Sequence, residues 1–242
     1  EAGAADQASL DLALIGNCTF GALVDRHARV VWCCMPRFDG DPVFNALLDS
    51  RDGLGRDGSF GVELEGLVRS EQAYDPGTAV LRTRLYDAAG NGVEVVDFAP
   101  RFFTRDRIFR PAQLVRRVRP LNGRVRVRFV VRPRSDWGAR VPETARGSNH
   151  LRFSASWGAL RLTTNAPLTY VIDETWFWLG SPVSLLLGPD ETLAGGIEET
   201  AREFEELTFA HWRQWTRRLA LPYEWQDAVI RAAITLKLCQ FQ

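Results

Sequence analysis

Short apolar runs separated by turn signals dominate the chain from residue 11 to about residue 188. The runs are rich in β-branched and aromatic residues, and the turn signals recur about every 8–12 residues, which is typical of an all-β sandwich. Only residues 43–48 show helical spacing in this region. The predicted strands are 13–16, 22–24, 30–34, 59–64, 80–86, 92–97, 112–119, 124–132, 151–156, 160–163, 168–172 and 182–187.

Two Asn-Gly pairs predict tight turns between these strands. Asn91-Gly92 and Asn122-Gly123 each follow a strand pattern. Asn and Gly tolerate the positive φ that a two-residue hairpin turn needs. Each pair is therefore predicted to join two neighbouring antiparallel strands.

Residues 124–129 alternate arginine with apolar residues. In a strand, this period of two places the arginines on one face and Val125, Val127 and Phe129 on the other, in the core. We interpret the arginine face as the solvated side of a half-buried sheet. A platform for an oligosaccharide or a phosphate is the alternative.

Helical periodicity replaces the strand pattern after residue 188. Residues 191–219 contain no proline, carry apolar residues at helical spacing, and place their acidic residues early and their arginines late, as the helix dipole prefers. This predicts a linker helix about 40 Å long, at about 1.5 Å per residue. Pro222 ends the pattern and residues 225–241 resume it. The predicted domains are a β-sandwich at 1–188, a linker helix at 189–221 and the start of a helical domain at 222–242.

Composition narrows the choice of partners and compartment. The 242 residues include 30 basic and 30 acidic side chains, so the net charge is zero. Nucleic-acid binding and attachment to a membrane are therefore not expected. No apolar run is long enough to span a bilayer and no signal-peptide pattern is visible, so a cytoplasmic location is expected. The four cysteines show neither the density of a disulfide framework nor zinc spacing, which favours reduced thiols.

Motifs of common enzyme classes are missing or out of context. Residues 53–58 match the glycine-rich dinucleotide fingerprint, but they follow a short helical stretch and precede a strand, whereas that motif must follow a strand and open a helix. His27, His150 and His211 lie far apart and lack zinc-ligand spacing. Neither a G-x-S-x-G elbow nor a P-loop occurs. We expect no metal and no cofactor, and no catalytic residue is nominated.

The densest group of versatile side chains lies at the end of the third predicted strand. Trp32 and Phe38 can stack on the apolar faces of a sugar, while Arg37 and Asp39 can hydrogen-bond to its hydroxyl groups. The alternative is a structural corner, in which Arg37 pairs with Asp39 or Asp41 and the aromatic rings are buried.

A family resemblance rests on six segments: LALIGNC at 12–18, ALV at 22–24, VWCCMPRFD at 31–39, VEVVDFAP at 93–100, LVRRV at 114–118 and LALPYEWQDAVIRAAITLKL at 219–238. With these segments the chain resembles bacterial glycoside hydrolase family 15, the glucoamylase-like and trehalase-like enzymes. Two departures occur. Asn17 stands where the family usually has Asp, and Cys33-Cys34-Met35 stands where a single Cys is usually flanked by leucines.

The resemblance implies an antiparallel super-β-sandwich of the mutarotase-like type, then a linker helix, then an (α/α)6 barrel. In the family, that barrel hydrolyses α-glucosidic bonds with inversion, using two glutamic acids. The resemblance also implies that residues 225–242 are the first helix of a truncated barrel and that both catalytic glutamates lie beyond this sequence. We therefore expect a non-catalytic module that packs against its own catalytic domain, in an enzyme for an α-linked glucoside. The candidates for the active-site rim or the domain interface are Trp32, Arg37, Phe38 and Asp39.

Two other functions stay open at this point. Eight tryptophans on a sandwich-like chain favour a free-standing carbohydrate-binding module. Related sandwiches serve sugar-epimerising mutarotases, which need a histidine and a carboxylate, and His150 is the candidate histidine. An exposed apolar face on residues 225–241 also leaves a homo-oligomer open.

Overall fold

Antiparallel strands form most of the molecule, as predicted. The computed structural model describes residues 10–48 and 57–241. The elements in chain order are β1 (Ala13–Gly16), β2 (Gly21–Val24), β3 (Arg29–Cys34), β4 (Pro42–Phe44), β5 (Phe60–Leu64), β6 (Leu67–Tyr74), β7 (Leu81–Asp87), β8 (Gly92–Phe98), β9 (Phe102–Thr104), β10 (Arg107–Phe109), β11 (Leu114–Asn122), β12 (Arg126–Val131), β13 (Glu143–Arg146), β14 (His150–Ala155), β15 (Gly158–Thr164), α1 (Leu168–Ile172), β16 (Phe177–Trp178), β17 (Val183–Pro189), α2 (Ile197–Thr216) and α3 (Gln226–Leu238).

The strands are arranged in two main sheets. The first sheet has the order β1-β2-β3-β5-β12-β16, with β4 paired to β3, and the second has the order β13-β14-β15-β17-β11-β8-β7-β6. The largest apolar cluster draws side chains from both sheets, including Phe60 and Phe129 from the first and Leu85, Leu114 and Leu185 from the second. The core therefore lies between the sheets, and the predicted sandwich is confirmed.

Strand β8 shows how the helices attach to the sandwich. All seven of its residues are buried. Val93 and Val95 face the core between the sheets, whereas Val96 and Phe98 pack with Ala201 of α2 on the outer face of the second sheet. The second sheet is thus covered on both sides at β8, so valines of both faces of this strand are buried.

Helices α2 and α3 lie within the predicted helical segments and pack on each other. Trp212 of α2 is fully buried among Ala79, Ile234 and Leu238. This cluster buries the apolar face of α3, whereas α2 also packs on the second sheet through Ile197, Ala201 and Phe204. In the part of the chain that is described, neither helix is long and apolar enough to cross a membrane.

One ion pair is buried in the core between the sheets. Arg116 of β11 donates from Nε and Nη2 to the two carboxylate oxygens of Asp97 on β8, at 2.7 and 3.0 Å. Both side chains are fully inaccessible. The guanidinium also donates to the backbone carbonyls of Phe60 and Ala28 in the opposite layer. Each of the three guanidinium nitrogens therefore has a hydrogen-bond partner, and the charge has a carboxylate, as burial requires.

The prediction of a strand at residues 168–172 is wrong, because this segment forms the short helix α1. Pro167 precedes it with φ −57°, a value suited to a helix start. Leu168 and Val171 are the buried residues, and their separation by three positions places them on one helical face. The β-branched content of the segment favoured a strand, but its burial follows the helical period.

The two predicted Asn-Gly hairpins have different outcomes. The β7–β8 hairpin forms, but Gly90, with φ +80°, supplies the positive φ in its turn. The hairpin predicted at Asn122-Gly123 is wrong, because β11 and β12 belong to different sheets. Gly123 does adopt φ +67°, and this turn carries the chain from one layer of the sandwich to the other.

The strands that the pattern did not predict include both edges of the second sheet, β6 and β13. These strands are mostly polar and exposed, so they lack the apolar alternation of a half-buried strand. At the end of β6, the Tyr74 hydroxyl group accepts from the backbone nitrogen of Leu14 and donates to its carbonyl, at 2.7 and 2.9 Å. This contact links β6 to β1, the edge of the first sheet.

Two shorter predictions concern residues 43–58. Residues 43–48, which show helical spacing, form the end of β4 and a 3₁₀ turn at Ala46–Leu48. The glycine-rich motif at 53–58 lies outside the described residues except for its last two positions. Gly58 adopts φ +66° shortly before β5.

Candidate functional site

The loop at residues 36–41 connects β3 to β4 and exposes a pair of charged side chains. Nε and Nη2 of Arg37 lie 2.9 and 3.0 Å from the two carboxylate oxygens of Asp39. The hydrogen bonds from Arg37 lower the pKa of Asp39. The two side chains remain 63% and 71% exposed. The loop therefore presents a preformed cation and carboxylate to its surroundings.

Phe38 lies between these two residues and rests against the first sheet. A Cβ atom at Gly21 of β2 would come within 2.9 Å of the Phe38 ring. Glycine at this position thus makes room for the ring, which still exposes about a third of its surface, 36%. Phe38 is held in place by the sheet and retains a free face.

Asp41 joins this loop to a second one. Its carboxylate accepts from the backbone nitrogens of Asp136 and Trp137, at 2.6 and 2.7 Å, and from the Ser156 hydroxyl group at 3.2 Å. Asp136 and Trp137 have φ values of +52° and +55°. These two amide bonds help to hold a left-handed backbone that non-glycine residues rarely adopt. As a result, Trp137 projects from the molecule, 63% exposed.

The structure brings together three of the four predicted site residues. Arg37, Phe38 and Asp39 share the exposed loop, whereas Trp32 lies half-buried inside β3, opposite Leu23 of β2. Trp137 was not among the predicted site residues. A tryptophan followed by glycine in the polar stretch 134–138 was the available signal, but its position depends on contacts with Asp41.

The C-terminal end of the described chain also reaches this site. The Arg37 guanidinium lies 5.7 Å from the centre of the Phe241 ring, within the range of a cation–π contact. Phe241 follows α3 and is largely exposed. The 36–41 loop and the end of α3 are therefore neighbours on one surface.

Comparison with known proteins identifies the family. Residues 3–173 match the family model described as trehalase-like, N-terminal. This chain belongs to the trehalase-like N-terminal domain family. A curated relative, the trehalase of Mycolicibacterium smegmatis, is 29% identical over 253 residues, covering 94% of this chain and 37% of the relative. The chain thus spans little more than a third of the length of that relative.

In this trehalase-like domain, a buried polar network surrounds Asn17 in the turn between β1 and β2. Asn17 donates from Nδ2 to the carbonyls of Pro100 and Pro111, at 2.9 and 2.6 Å. A carboxylate at this position would face two carbonyl oxygens, so the network favours the amide of Asn17. Arg101 donates from Nη1 to the carbonyl of Asn17 at 2.8 Å and from Nε to Nε2 of His211 at 3.2 Å. The turn is thereby tied to α2.

His211 is neutral in this network. It accepts from a guanidinium, which has no acceptor of its own, so its Nε2 carries no proton. Burial, followed by the nearby charge of Arg101, lowers the pKa of His211 from 6.5 to about 4. The side chain thus holds α2 to the turn as an uncharged acceptor, and protonation would place two cations together.

We expect acid to destabilise the domain through His211. Between pH 6.5 and about 4 the unfolded chain protonates this imidazole while the folded chain does not. The free energy of unfolding should therefore fall as the pH decreases through this window, by up to about 3 kcal/mol. Urea unfolding at several pH values measures this slope. His211→Gln should flatten it, whereas the exposed His27→Gln should not, and equal slopes for all three proteins would contradict the assignment.

His150, the candidate for mutarotase-like chemistry, is placed against a cation. Its Nδ1 lies 3.0 Å from Nη2 of Arg161, on the neighbouring strand β15. Because Nδ1 accepts from the guanidinium, a general base at this position would have to use Nε2. Across residues 10–48 and 57–241, no three His, Cys, Asp or Glu side chains cluster in a way that could hold a metal ion.

Proposed function

We propose that this chain is the non-catalytic N-terminal domain of a trehalase-type glycoside hydrolase. It supports the catalytic domain and lends the 36–41 loop to the rim of the active site. The observation that carries the proposal is the exposed Arg37–Asp39 pair beside Phe241. A catalytic domain that covers α3 would meet this loop at the same time. Membership of the trehalase-like family supports the class of enzyme.

The proposed docking surface is the outward side of α3 and the residues next to it. Tyr223, Trp225, Leu236 and Phe241 are all largely exposed. Large apolar side chains gathered on one surface usually mark a site of protein contact. The inward side of α3 is already occupied by Trp212. The occupant that we propose for the outward side is the catalytic domain of the same enzyme.

The carboxylates of the loop support a positioning role instead of a catalytic one. Asp39 is held by two hydrogen bonds from Arg37, and Asp41 by the backbone of the second loop. Both carboxylates thus already accept hydrogen bonds within the domain. Inverting hydrolysis of an α-glucosidic bond requires one carboxylic acid to protonate the leaving oxygen and one carboxylate to activate water. We propose that the catalytic domain supplies both, and that trehalose is the first substrate to test.

Arg37→Ala in the enzyme that carries this domain should lower kcat/KM for trehalose by about tenfold, or about 1.4 kcal/mol of transition-state stabilisation. The substitution removes the cation that orients Asp39 at the proposed rim. The melting temperature of the 242-residue chain should hardly change, because an exposed ion pair contributes at most about 1 kcal/mol. Steady-state kinetics and thermal unfolding provide the two measurements.

Arg26→Ala is the matched control for this variant. Arg26 forms an ion pair with Asp11, and its side chain is 67% exposed, close to the value for Arg37. It should leave the kinetics unchanged. Unchanged kinetics and unchanged melting of the enzyme after Arg37→Ala would contradict both the rim and the interface roles.

A further inference from the structure

A second concave surface lies away from the 36–41 loop, between α1 and β16. It is a cleft of about 600 Å³, within the size range of small-molecule sites. Tyr170 of α1 and Trp178 of β16 both line it, with 39% and 55% of their surfaces exposed. Thr175 and Ser181 add exposed hydroxyl groups to its wall. The cleft therefore combines aromatic surfaces with neutral hydrogen-bonding groups.

The tryptophans of this cleft contact arginines in β12 and in the turn just before it. The guanidinium groups of Arg124 and Arg128 lie 4.6 and 4.5 Å from the ring centres of Trp178 and Trp176. Arg126 is the cross-strand partner of Trp178. Cation–π contacts at these distances fix the orientation of an indole ring. Arg126 also lies 5.8 Å from the centre of the Trp178 ring. These contacts restrict the indole while 55% of the Trp178 surface stays exposed, so a ligand that packs on the exposed part would lose little affinity to side-chain ordering.

The charge of the cleft favours a neutral ligand. Arg126 is the charged residue in its lining, and none of the lining residues is acidic. Nη1 of Arg126 already lies 2.8 and 3.1 Å from the two carboxylate oxygens of Glu65. Its charge is therefore largely balanced, and the lining contains neither a carboxylate for an amine nor a second cation for a phosphate. Arg124, which contacts the Trp178 ring, lies outside the lining.

We propose that this cleft binds a neutral oligosaccharide, as a site separate from the rim of the proposed active site. A pyranose ring has apolar C–H faces that stack on aromatic side chains and equatorial hydroxyl groups that pair with neutral donors and acceptors. The cleft supplies Trp178 and Tyr170 for the first and Thr175 and Ser181 for the second. The inference does not depend on the proposed hydrolase role.

Titration of the 242-residue chain with maltotriose and, separately, cellotriose tests this site by calorimetry. We expect at least one trisaccharide to bind with a Kd of about 1 mM or lower. Gly180→Trp should weaken that binding by about tenfold or more. A Cβ at Gly180 meets no atom within 4 Å, so the new side chain can enter the cleft without disturbing the fold. Trp178→Ala should have a similar effect.

Trp225→Ala is the matched control, because Trp225 is an exposed tryptophan that does not line the cleft. It should leave the Kd unchanged, and all variants should melt cooperatively. Three results would overturn the proposal: no heat with either trisaccharide, binding that survives both Gly180→Trp and Trp178→Ala, or binding of ATP at the cleft in place of both sugars.

Discussion

Asp97→Ala should lower the free energy of unfolding by about 3–5 kcal/mol. The substitution leaves the Arg116 guanidinium fully buried between the sheets without its carboxylate. The two backbone carbonyls that Arg116 also reaches cannot neutralise its charge. Chemical denaturation of the isolated chain, followed by circular dichroism, measures the loss.

Two further variants make this test specific to the buried charge. Replacing both partners, as Asp97→Leu with Arg116→Met, should recover much of the stability, because a buried ion pair replaced by apolar side chains is often neutral. Glu71→Gln removes an exposed partner of Arg69 and should cost less than about 1 kcal/mol. A loss of similar size in Glu71→Gln and Asp97→Ala would show that burial is not the cause.

Trp212→Ala should cost about 3–5 kcal/mol and should loosen both helices from the sandwich. This side chain fills the space between α2, α3 and Ala79, which lies two residues before β7. Its removal leaves a cavity that Ala79, Ile234 and Leu238 cannot close without moving an element. Hydrogen exchange of the α3 amides should accelerate more than that of β8, because β8 retains its own core contacts.

Trp225→Ala is the control for this experiment, because Trp225 is 79% exposed. It should change neither the stability nor the exchange pattern appreciably. If Trp212→Ala left α3 exchange unchanged, the helix would be held by contacts other than this cluster.

The local pattern of apolar and polar residues predicted the buried strands and helices well. The strands β3, β8 and β12 and the helices α2 and α3 all bury a continuous apolar face, and such a face has an unambiguous period. The strand prediction for residues 168–172 was wrong because their composition is typical of a strand. Pro167 and the burial of Leu168 and Val171 instead favour a helix. The prediction that Asn122-Gly123 joins two paired strands was also wrong. A turn residue specifies a backbone angle, but it does not specify the pairing partner of the next strand.

The candidate site was predictable only in part, because contacts between residues distant in sequence cannot be predicted from a local pattern. Pairing of Arg37 with Asp39 is a contact between near neighbours in sequence, so the loop itself shows it. The position of Trp137 depends on Asp41, which lies 96 residues away in the chain. Trp32 was grouped with the loop because this residue lies only four positions before residue 36. The side chain belongs to β3, however, and lies half-buried within the sheet.

The edges of the two sheets determine how copies of this domain can associate. An open edge is a template for pairing with another strand, which leads to aggregation. Here β16 is only two residues long, and β6 and β13 carry charged side chains. On β1, the backbone nitrogen and carbonyl of Leu14 are already hydrogen-bonded to the Tyr74 hydroxyl group. Strand exchange and fibril growth are therefore disfavoured at these four edges, β1, β6, β13 and β16, of the part of the chain that the structure describes.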